Sequence, residues 1–248
     1  MQNHSSIAVI VGASRGIGAA LTEEFLLHGW TVVALARTPT QSRLDFLTAA
    51  YPARLHALPA DVTAAASLDA AVEKTRAIAG TIDVLVNNAG ILLSRETPGV
   101  AAYDPDELTR TLDVNTVGPL RVLRAFAGLL RTSPETSNPN GAGMSPAARV
   151  VNITSIMGSL SAVSGPRNYA YSVSKAALNM LTRLVHQELK DRGIGVWAMH
   201  PGWVRTDMGG LGADFSAEQS AVGLYSQIQG WRFGDPELMD FLGRPLDW

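Results

Sequence analysis

The residues with the clearest chemical potential are a tyrosine and a lysine spaced four positions apart, Tyr171 and Lys175. On a helix this spacing places a phenol and an ammonium group on the same face. A free tyrosine has a pKa of about 10, and a neighbouring cation favours the phenolate, so the pair could donate and recover a proton. The same spacing also arises when an aromatic ring covers a lysine stem. Tyr169, the nearest competing tyrosine, has no lysine four residues later.

A glycine-rich pattern near the N-terminus predicts a turn that binds a dinucleotide. The apolar run 7–11 is typical of a buried strand, and it leads directly into Gly12-Ala-Ser-Arg-Gly16-Ile-Gly18 and an amphipathic stretch. Glycines permit a tight bend and a close approach of backbone to a pyrophosphate, and the start of a helix attracts its negative charge. The spacing is wider than in the usual Rossmann fingerprint, so a glycine turn without a ligand stays the alternative.

Together these two patterns resemble the short-chain dehydrogenase/reductase family, and the resemblance covers nearly the whole chain. Further segments that agree in order and spacing are Asp61-Val62, Asn87-Asn-Ala-Gly90, Asp113-Val-Asn115, Val150-Val-Asn-Ile-Thr-Ser155 and Pro201-Gly202. The stretch from His200 to Gly210 and the ending Gly243-Arg-Pro-Leu-Asp-Trp248 are similar to those of the C-factor and sniffer-type carbonyl reductases. The resemblance implies an α/β fold, with a doubly wound, Rossmann-type parallel sheet flanked by helices in one domain over 1–248.

The resemblance also implies a catalytic set. Tyr171 would donate the proton, and Ser155 would orient the substrate carbonyl by a hydrogen bond. Lys175 would hold the nicotinamide ribose and lower the tyrosine pKa, while Asn115 would fix a water that links Lys175 to solvent. Ser155 could instead simply end a strand, and Asn115 could satisfy buried backbone groups. Ser159 is a rival for the serine role, but Ser155 is favoured because it follows the strand end directly.

A nicotinamide cofactor is implied as well, and the charge pattern favours NADP(H). The second strand ends in Arg37, with no acidic residue before Asp45 to bind the ribose of NAD, whereas an arginine suits the extra phosphate of NADP. Arg15 could contact the same phosphate, and a solvated arginine is the alternative reading of Arg37. The expected cofactor-binding residues are Gly12, Ser14, Arg15, Gly16, Ile17, Gly18, Arg37, Asp61, Val62, Asn88, Ala89, Gly90, Tyr171, Lys175, Pro201, Gly202, Val204 and Thr206.

The expected substrate is a small carbonyl compound that is reduced to an alcohol. Its predicted surroundings are Met157, Trp203, Met208, Leu211 and Phe215. The last four follow the Pro-Gly turn, where the family places its substrate loop, and they would form an apolar wall; ordinary core packing is an equally good interpretation. A reductase of 3-oxoacyl thioesters, an alcohol dehydrogenase and an NADP-binding signalling or sensor protein stay as alternatives.

Composition argues against several other classes of protein. The chain has 20 Lys and Arg against 22 Asp and Glu with no basic block, so a nucleic-acid partner is not expected. It has no cysteine, which excludes disulfides and suits a reducing compartment, and its 5 histidines lack the spacing of a metal site. The N-terminal apolar run is used by the first strand, so we expect no signal peptide, no membrane span and a cytoplasmic location.

The hydrophobic pattern predicts strands near 7–12, 31–36, 54–59, 82–87, 149–154, 194–200 and 238–242, with helices between them. Apolar positions at helical spacing place Tyr171 and Lys175 in the first turns of a long helix. The segment 131–148 is rich in Pro, Ser, Asn and Gly, which predicts a surface loop, more readily a tolerated insertion than a lid. Surplus apolar positions in 108–130 and 173–189 predict a homodimer, with a tetramer possible.

Overall fold

Seven parallel strands form a single sheet in the structure, a computed structural model that describes residues 6–40, 43–94, 99–133, 141–165 and 167–248. The strands are Ile7–Val11 (β1), Thr31–Ala36 (β2), Leu55–Pro59 (β3), Val84–Asn87 (β4), Ala148–Ile153 (β5), Ile194–His200 (β6) and Leu238–Asp240 (β7). Their spatial order is β3-β2-β1-β4-β5-β6-β7, so the direction in which the sheet grows reverses between β1 and β4. Such a reversal opens a crevice at the carboxyl ends of the strands. The predicted Rossmann-type fold class is confirmed.

Helices cover both faces of the sheet. They are Gly16–Leu27 (α1), Arg43–Ala50 (α2), Ala65–Ile78 (α3), Pro105–Leu112 (α4), Gly118–Phe126 (α5), Tyr169–Leu189 (α6) and Ala217–Gly230 (α7). A π-helical turn, Asp113–Val117, joins α4 to α5. Alternate residues of β1 enter two separate cores: Ala8 and Ile10 pack with α1 and α7, and Val9 and Val11 pack with α3, α5 and α6. Burial on both faces explains why the strands are almost uninterrupted apolar runs.

The predicted loop 131–148 lies partly outside the described residues, since 134–140 are among those not described. Its described parts contact the residue before β6 and the segment that leads into β7. The Ala147 N–H donates to the Gly193 carbonyl at 2.7 Å, and the Gly143 N–H donates to the Phe233 carbonyl at 2.7 Å. These contacts lie near the amino ends of the strands, whereas the crevice lies at the carboxyl ends. They therefore favour the interpretation of the loop as an insertion over its interpretation as a lid.

Candidate active site

A cavity of about 860 Å³ follows the carboxyl ends of the strands on both sides of the reversal. All of the expected cofactor-binding residues line it except Gly18. Ser155, Met157, Trp203 and Met208 line it as well. The cavity therefore brings the glycine turn and the Tyr-Lys pair, which are far apart in the sequence, into one continuous space.

The glycine turn is shaped by the absence of side chains. Gly12 has a φ of +79°, and a Cβ there would lie 2.8 Å from the backbone of Ala89. A Cβ on Gly18 would lie 2.2 Å from the Gly12 carbonyl oxygen, so this glycine serves packing rather than the cavity surface. The Asn88 amide donates to the same carbonyl at 2.9 Å and ties the turn to the loop after β4. An open turn at the start of α1 has the form that a pyrophosphate requires.

Charged side chains surround the cavity near the ends of β2 and β3. Arg37 is exposed directly after β2, and Arg15 in the glycine turn forms an ion pair with Asp207 of the loop after β6. The Asp61 carboxylate accepts hydrogen bonds from the Thr63 hydroxyl at 2.7 Å and the Thr63 N–H at 2.8 Å. These bonds, with a smaller contribution from Arg37, lower the pKa of Asp61. Arg37, and Arg15 in competition with Asp207, could therefore contact an anionic group at this end.

The helix that carries Tyr171 is fixed at its first turn by residues that the sequence reasoning missed. The Asn168 side chain accepts from the Tyr171 N–H at 2.8 Å and donates to the Ser94 carbonyl at 2.9 Å. The Tyr103 hydroxyl oxygen accepts from the Ala170 N–H at 2.9 Å. An asparagine just before a helix is a recognisable cap. Tyr103 lies far from this helix in the sequence, so no local sequence pattern could have identified its contact.

Ser155, Tyr171 and Lys175 meet at the far end of the cavity, as the family resemblance implies. The Ser155 and Tyr171 side chains are hydrogen-bonded to each other. The Lys175 ammonium donates to the Ile153 carbonyl at 2.8 Å and lies 5.7 Å from the centroid of the tyrosine ring. The three side chains are therefore held by the end of β5 and the first turns of α6.

The lowering of the Tyr171 pKa by Lys175 stays a prediction, because burial is the dominant influence on both groups in the structure. Burial raises the pKa of Tyr171 to about 12, although the hydrogen bond with Ser155 lowers it in part. Burial also lowers the pKa of Lys175 to about 8. Desolvation shifts both pKa values in the direction of the neutral form, because each charged form is taken out of water. At neutral pH the phenol is therefore fully protonated and able to donate.

Asn115 is buried in the π-helical turn and does not line the cavity. Its Oδ1 accepts from the Ile91 N–H at 2.8 Å, and its Nδ2 donates to the Ile91 carbonyl at 2.9 Å and to the Ser174 hydroxyl at 3.0 Å. The side chain thereby joins the loop after β4 to α6. The structure gives its side chain a bracing role, and the expected contact of Asn115 with a water stays a prediction.

The two candidate serines differ in position. Ser155 lines the cavity, and its hydroxyl oxygen also accepts from the Met157 N–H at 3.1 Å. Ser159 is buried, accepts from the Ala162 N–H at 3.3 Å and is not among the cavity residues. The geometry favours Ser155 for a role in chemistry and Ser159 for a role in the turn.

The predicted apolar wall is only partly formed. Met157, Trp203 and Met208 line the cavity, but Leu211 is 95% exposed and lies outside it. Phe215 also lies outside, because its ring packs edge-on against Phe241 with centroids 4.8 Å apart. Apolar character alone does not reveal which side of a loop a residue occupies. For Phe215, the alternative of core packing is the correct one.

His200, one of the histidines without metal-site spacing, is a further cavity residue. No group of three or more His, Cys, Asp or Glu side chains suited to a metal ion occurs in the described part of the chain. Among the described helices, none combines the length and the apolar character needed to span a membrane.

Comparison with known proteins gives consistent matches over most of the chain. The sequence profile of the family described as short chain dehydrogenase matches residues 6–214. The C-signal protein of Myxococcus xanthus is 38% identical over 178 residues, covering 70% of this chain and 97% of that protein. The carbonyl reductase Sniffer of D. melanogaster has a TM-score of 0.87 at 28% identity, covering 99% of this chain and 100% of the other. An NADPH-bound carbonyl reductase from chicken fatty liver has a TM-score of 0.85 at 27% identity, with the same coverage.

Proposed function

This chain belongs to the short-chain dehydrogenase family, and we propose that it is an NADPH-dependent oxidoreductase that reduces an aldehyde or ketone to an alcohol. One observation carries the proposal. Ser155, Tyr171 and Lys175 lie at one end of a single cavity, and the glycine turn and Arg37 lie at the other. Such a cavity suits a cofactor that reaches from a phosphate site to a reacting carbonyl.

The residues present fit NADPH. The turn at Gly12 and the start of α1 would hold the pyrophosphate, and Arg37 and Arg15 would hold the adenosine phosphate. Lys175 would bind the ribose next to the nicotinamide. When bound, NADPH supplies the hydride. The NADPH bound to the chicken carbonyl reductase, which shares this fold, supports the choice of cofactor.

Tyr171 would complete the reduction by giving its proton to the carbonyl oxygen. The Ser155 hydroxyl, hydrogen-bonded to the phenol, would donate to the same oxygen and stabilise the negative charge that grows there. The Lys175 ammonium, 5.7 Å from the ring centroid, would then stabilise the phenolate. Each of these groups is placed before substrate arrives, so little reorganisation is needed during the reaction.

The test is consumption of NADPH by the purified protein with aldehydes, ketones, quinones and acyl thioesters, together with the reverse reaction on alcohols. We expect turnover with at least one carbonyl, a large loss in Ser155→Ala and nearly full activity in Ser159→Ala. The paired serines separate a chemical role from a general effect on the loop. Binding of NADPH without turnover of any carbonyl or alcohol would contradict an enzymatic function.

A second candidate, a cofactor-binding signalling protein, is favoured by one observation. The relative that is 38% identical over 70% of this chain is named C-signal. Under this alternative the cavity would bind NADPH as a sensed ligand, and catalysis would be incidental. The same assay decides between them, because a sensor keeps NADPH affinity without a selective carbonyl substrate.

The protein is also proposed to form a homodimer through α5 and α6. Exposed apolar side chains on these helices are Leu120, Val173, Met180 and Leu184. Such a surface is more apolar than a helix normally presents to solvent. Light scattering should give about twice the chain mass of 26.3 kDa. The mass of one chain would contradict the proposal, and that of four chains would replace the dimer by a tetramer.

A further inference from the structure

A buried asparagine joins α6 to the segment that carries Ser155. Asn179 is 3% exposed and lies about two helical turns after Tyr171. Its Oδ1 accepts from the Thr154 hydroxyl at 2.6 Å, and its Nδ2 donates to the Gly158 carbonyl at 3.2 Å. Thr154 directly precedes Ser155, and Gly158 follows the serine after two intervening residues. One amide therefore holds the chain on both sides of the serine.

The missing side chain of Gly158 brings the same segment against the helix. A Cβ on Gly158 would lie 2.6 Å from the carbonyl carbon of Lys175 and 2.8 Å from the Ala176 nitrogen, closer than side chains approach backbone. The segment is thus packed on the turn of α6 that carries Lys175. The Ser155 hydroxyl and the Tyr171 phenol stay hydrogen-bonded to each other only while this separation is kept.

The energetics of the buried amide indicate that it serves geometry. Burial of an amide costs free energy that a leucine of similar size would not incur, and Asn179 offsets this cost through the hydrogen bonds of its side chain. Hydrogen bonds have a preferred length and direction, whereas apolar contacts tolerate small shifts. A buried amide that is bonded at both its oxygen and its nitrogen therefore specifies one separation between the end of β5 and α6.

We propose that Asn179 is a positioning residue, which sets the distance between the Ser155 hydroxyl and the Tyr171 phenol. This inference rests on the proposed function. Asn179 is not among the cavity residues, so it acts on the reaction only through the placement of the other two side chains. A shift of about 1 Å in a reacting group can slow a reaction about 100-fold, which makes such a residue important without any contact to substrate.

A second asparagine and threonine pair provides a matched control. The Asn152 amide donates to the Thr182 hydroxyl at 2.8 Å, and this buried bond also joins β5 to α6. Asn152 lies within β5, before the serine segment, and neither member of the pair is among the cavity residues. Loss of either buried threonine hydroxyl should lower stability by a similar amount, whereas only the loss at Thr154 should displace Ser155.

The experiment combines steady-state kinetics, on a carbonyl compound that the wild type reduces, with thermal unfolding and NADPH titration. Asn179→Leu and Thr154→Val remove the bond between the two side chains, Thr154→Ser keeps a hydroxyl, and Thr182→Val is the control. Thr154 borders the cavity but is 1% exposed, and its hydroxyl donates to Asn179. Its replacement by valine therefore changes this bond and leaves the shape of the cavity nearly unaltered.

We expect kcat to fall about 10- to 100-fold in Asn179→Leu and Thr154→Val, with KM and NADPH affinity within about threefold of the wild type. Thr154→Ser should recover most of kcat, and Thr182→Val should keep kcat within about twofold despite a comparable loss of thermal stability. If Asn179→Leu does not fold, Thr154→Val decides. An unchanged kcat in Thr154→Val, or an equal loss of kcat in Thr182→Val, would overturn the inference.

Crystal structures separate this inference from the proposed function. If the wild type reduces no carbonyl compound, the distance from Ser155 Oγ to Tyr171 Oη still tests the role of Asn179. We expect about 2.5–3.0 Å in the wild type and in Thr182→Val, and more than about 3.5 Å in Asn179→Leu and Thr154→Val. Such a change would support the positioning role even though the proposed reaction had failed. The wild-type distance in Thr154→Val would contradict that role whatever the turnover.

Discussion

The two ends of the cavity are built on different physical principles. The end that holds Ser155 and Tyr171 is called the catalytic end after the proposed reaction. At or next to it, side chains are buried and bonded to the protein: Asn115 is fully buried, Lys175 is 4% exposed, and both are hydrogen-bonded to backbone. The end that holds Arg15 and Arg37 is called the adenosine end after the proposed cofactor. There, the side chains of Arg15 and Asp207 are 73% and 75% exposed. Buried groups are fixed by folding itself, whereas exposed charges are screened by water and salt. Changes at the first end should therefore affect turnover and stability, and changes at the second end mainly affinity.

The largest expected effect is that of Tyr171→Phe. Loss of the phenol removes the proton donor, and we expect kcat to fall about 100- to 10,000-fold. NADPH affinity should change less than about twofold, because the hydroxyl is proposed to act on the substrate oxygen. Tyr169→Phe is the matched control: Tyr169 is exposed, begins the same helix and does not line the cavity. Steady-state kinetics and a binding titration measure both, and near-normal turnover by Tyr171→Phe would remove the chemical distinction between the two ends.

The second prediction concerns stability. Asn115→Ala deletes three hydrogen bonds, one buried and two partly buried, and leaves the Ile91 N–H, the Ile91 carbonyl and the Ser174 hydroxyl with one partner fewer. We expect the free energy of unfolding to fall by about 2–4 kcal/mol. Asp61→Ala, at the other end, loses only exposed bonds to Thr63 and should cost less than about 1 kcal/mol. Urea denaturation of the two variants measures the contrast, and equal losses would show that burial does not distinguish the ends.

Much of the difference between the two ends of the cavity could be predicted from the sequence, because short local patterns identify the residues at each end. The glycine turn, the strand ends and the pair Tyr171 and Lys175 are each short motifs, and the structure places them around one cavity. Parallel strands bring their carboxyl ends to one edge, so motifs that follow strands meet there. The sheet itself was predictable for the same reason, and strands β2 and β6 have the predicted bounds.

The remainder depends on contacts between distant residues. Tyr103 reaches the start of α6, and Asn115 reaches Ile91 and Ser174, through packing that no local pattern records. The pKa of Tyr171 could not be deduced from its distance to a lysine in sequence, because burial acts on it more strongly. The exposed position of Leu211 likewise depends on how the loop after β6 folds back on itself.

The third prediction tests the adenosine end. Arg37→Ala should weaken NADPH binding by about 1–3 kcal/mol, the usual contribution of a charged hydrogen bond, and leave NADH binding nearly unchanged. Arg76→Ala is the matched control, since Arg76 is an exposed arginine on α3 outside the cavity. Fluorescence titration with both cofactors measures the effect. Equal affinity of the wild type for NADH and NADPH would mean that this end of the cavity does not bind the additional phosphate of NADPH.

The fourth prediction is that the buried lysine lowers stability. Lys175 has a folded-state pKa of about 8, below its ordinary value of 10.5, so between these pH values the unfolded chain binds more protons. Stability therefore rises as pH increases from 8 towards 10, by about 1–2 kcal/mol, because the cost of burying the charge is lost. Lys175→Met should abolish this rise, increase stability at neutral pH and eliminate turnover. Denaturation of the protein without cofactor across this range measures it, and an unaltered pH dependence in Lys175→Met would contradict the assignment.

The smallest expected effect is at the exposed ion pair between Arg15 and Asp207, which joins the glycine turn to the loop after β6. Asp207→Asn removes a carboxylate that competes with the cofactor phosphate for Arg15, so NADPH binding should become tighter by less than about fivefold. NADH should show no gain, and the effect should disappear at high salt because exposed charges are screened. Asp214→Asn is the matched control, since it makes the same charge change at an exposed position of the same loop outside the cavity. Weaker NADPH binding by Asp207→Asn, or the same gain in both variants, would show that Asp207 holds the loop rather than competing for Arg15, and the adenosine end would then share the fixed character of the catalytic end.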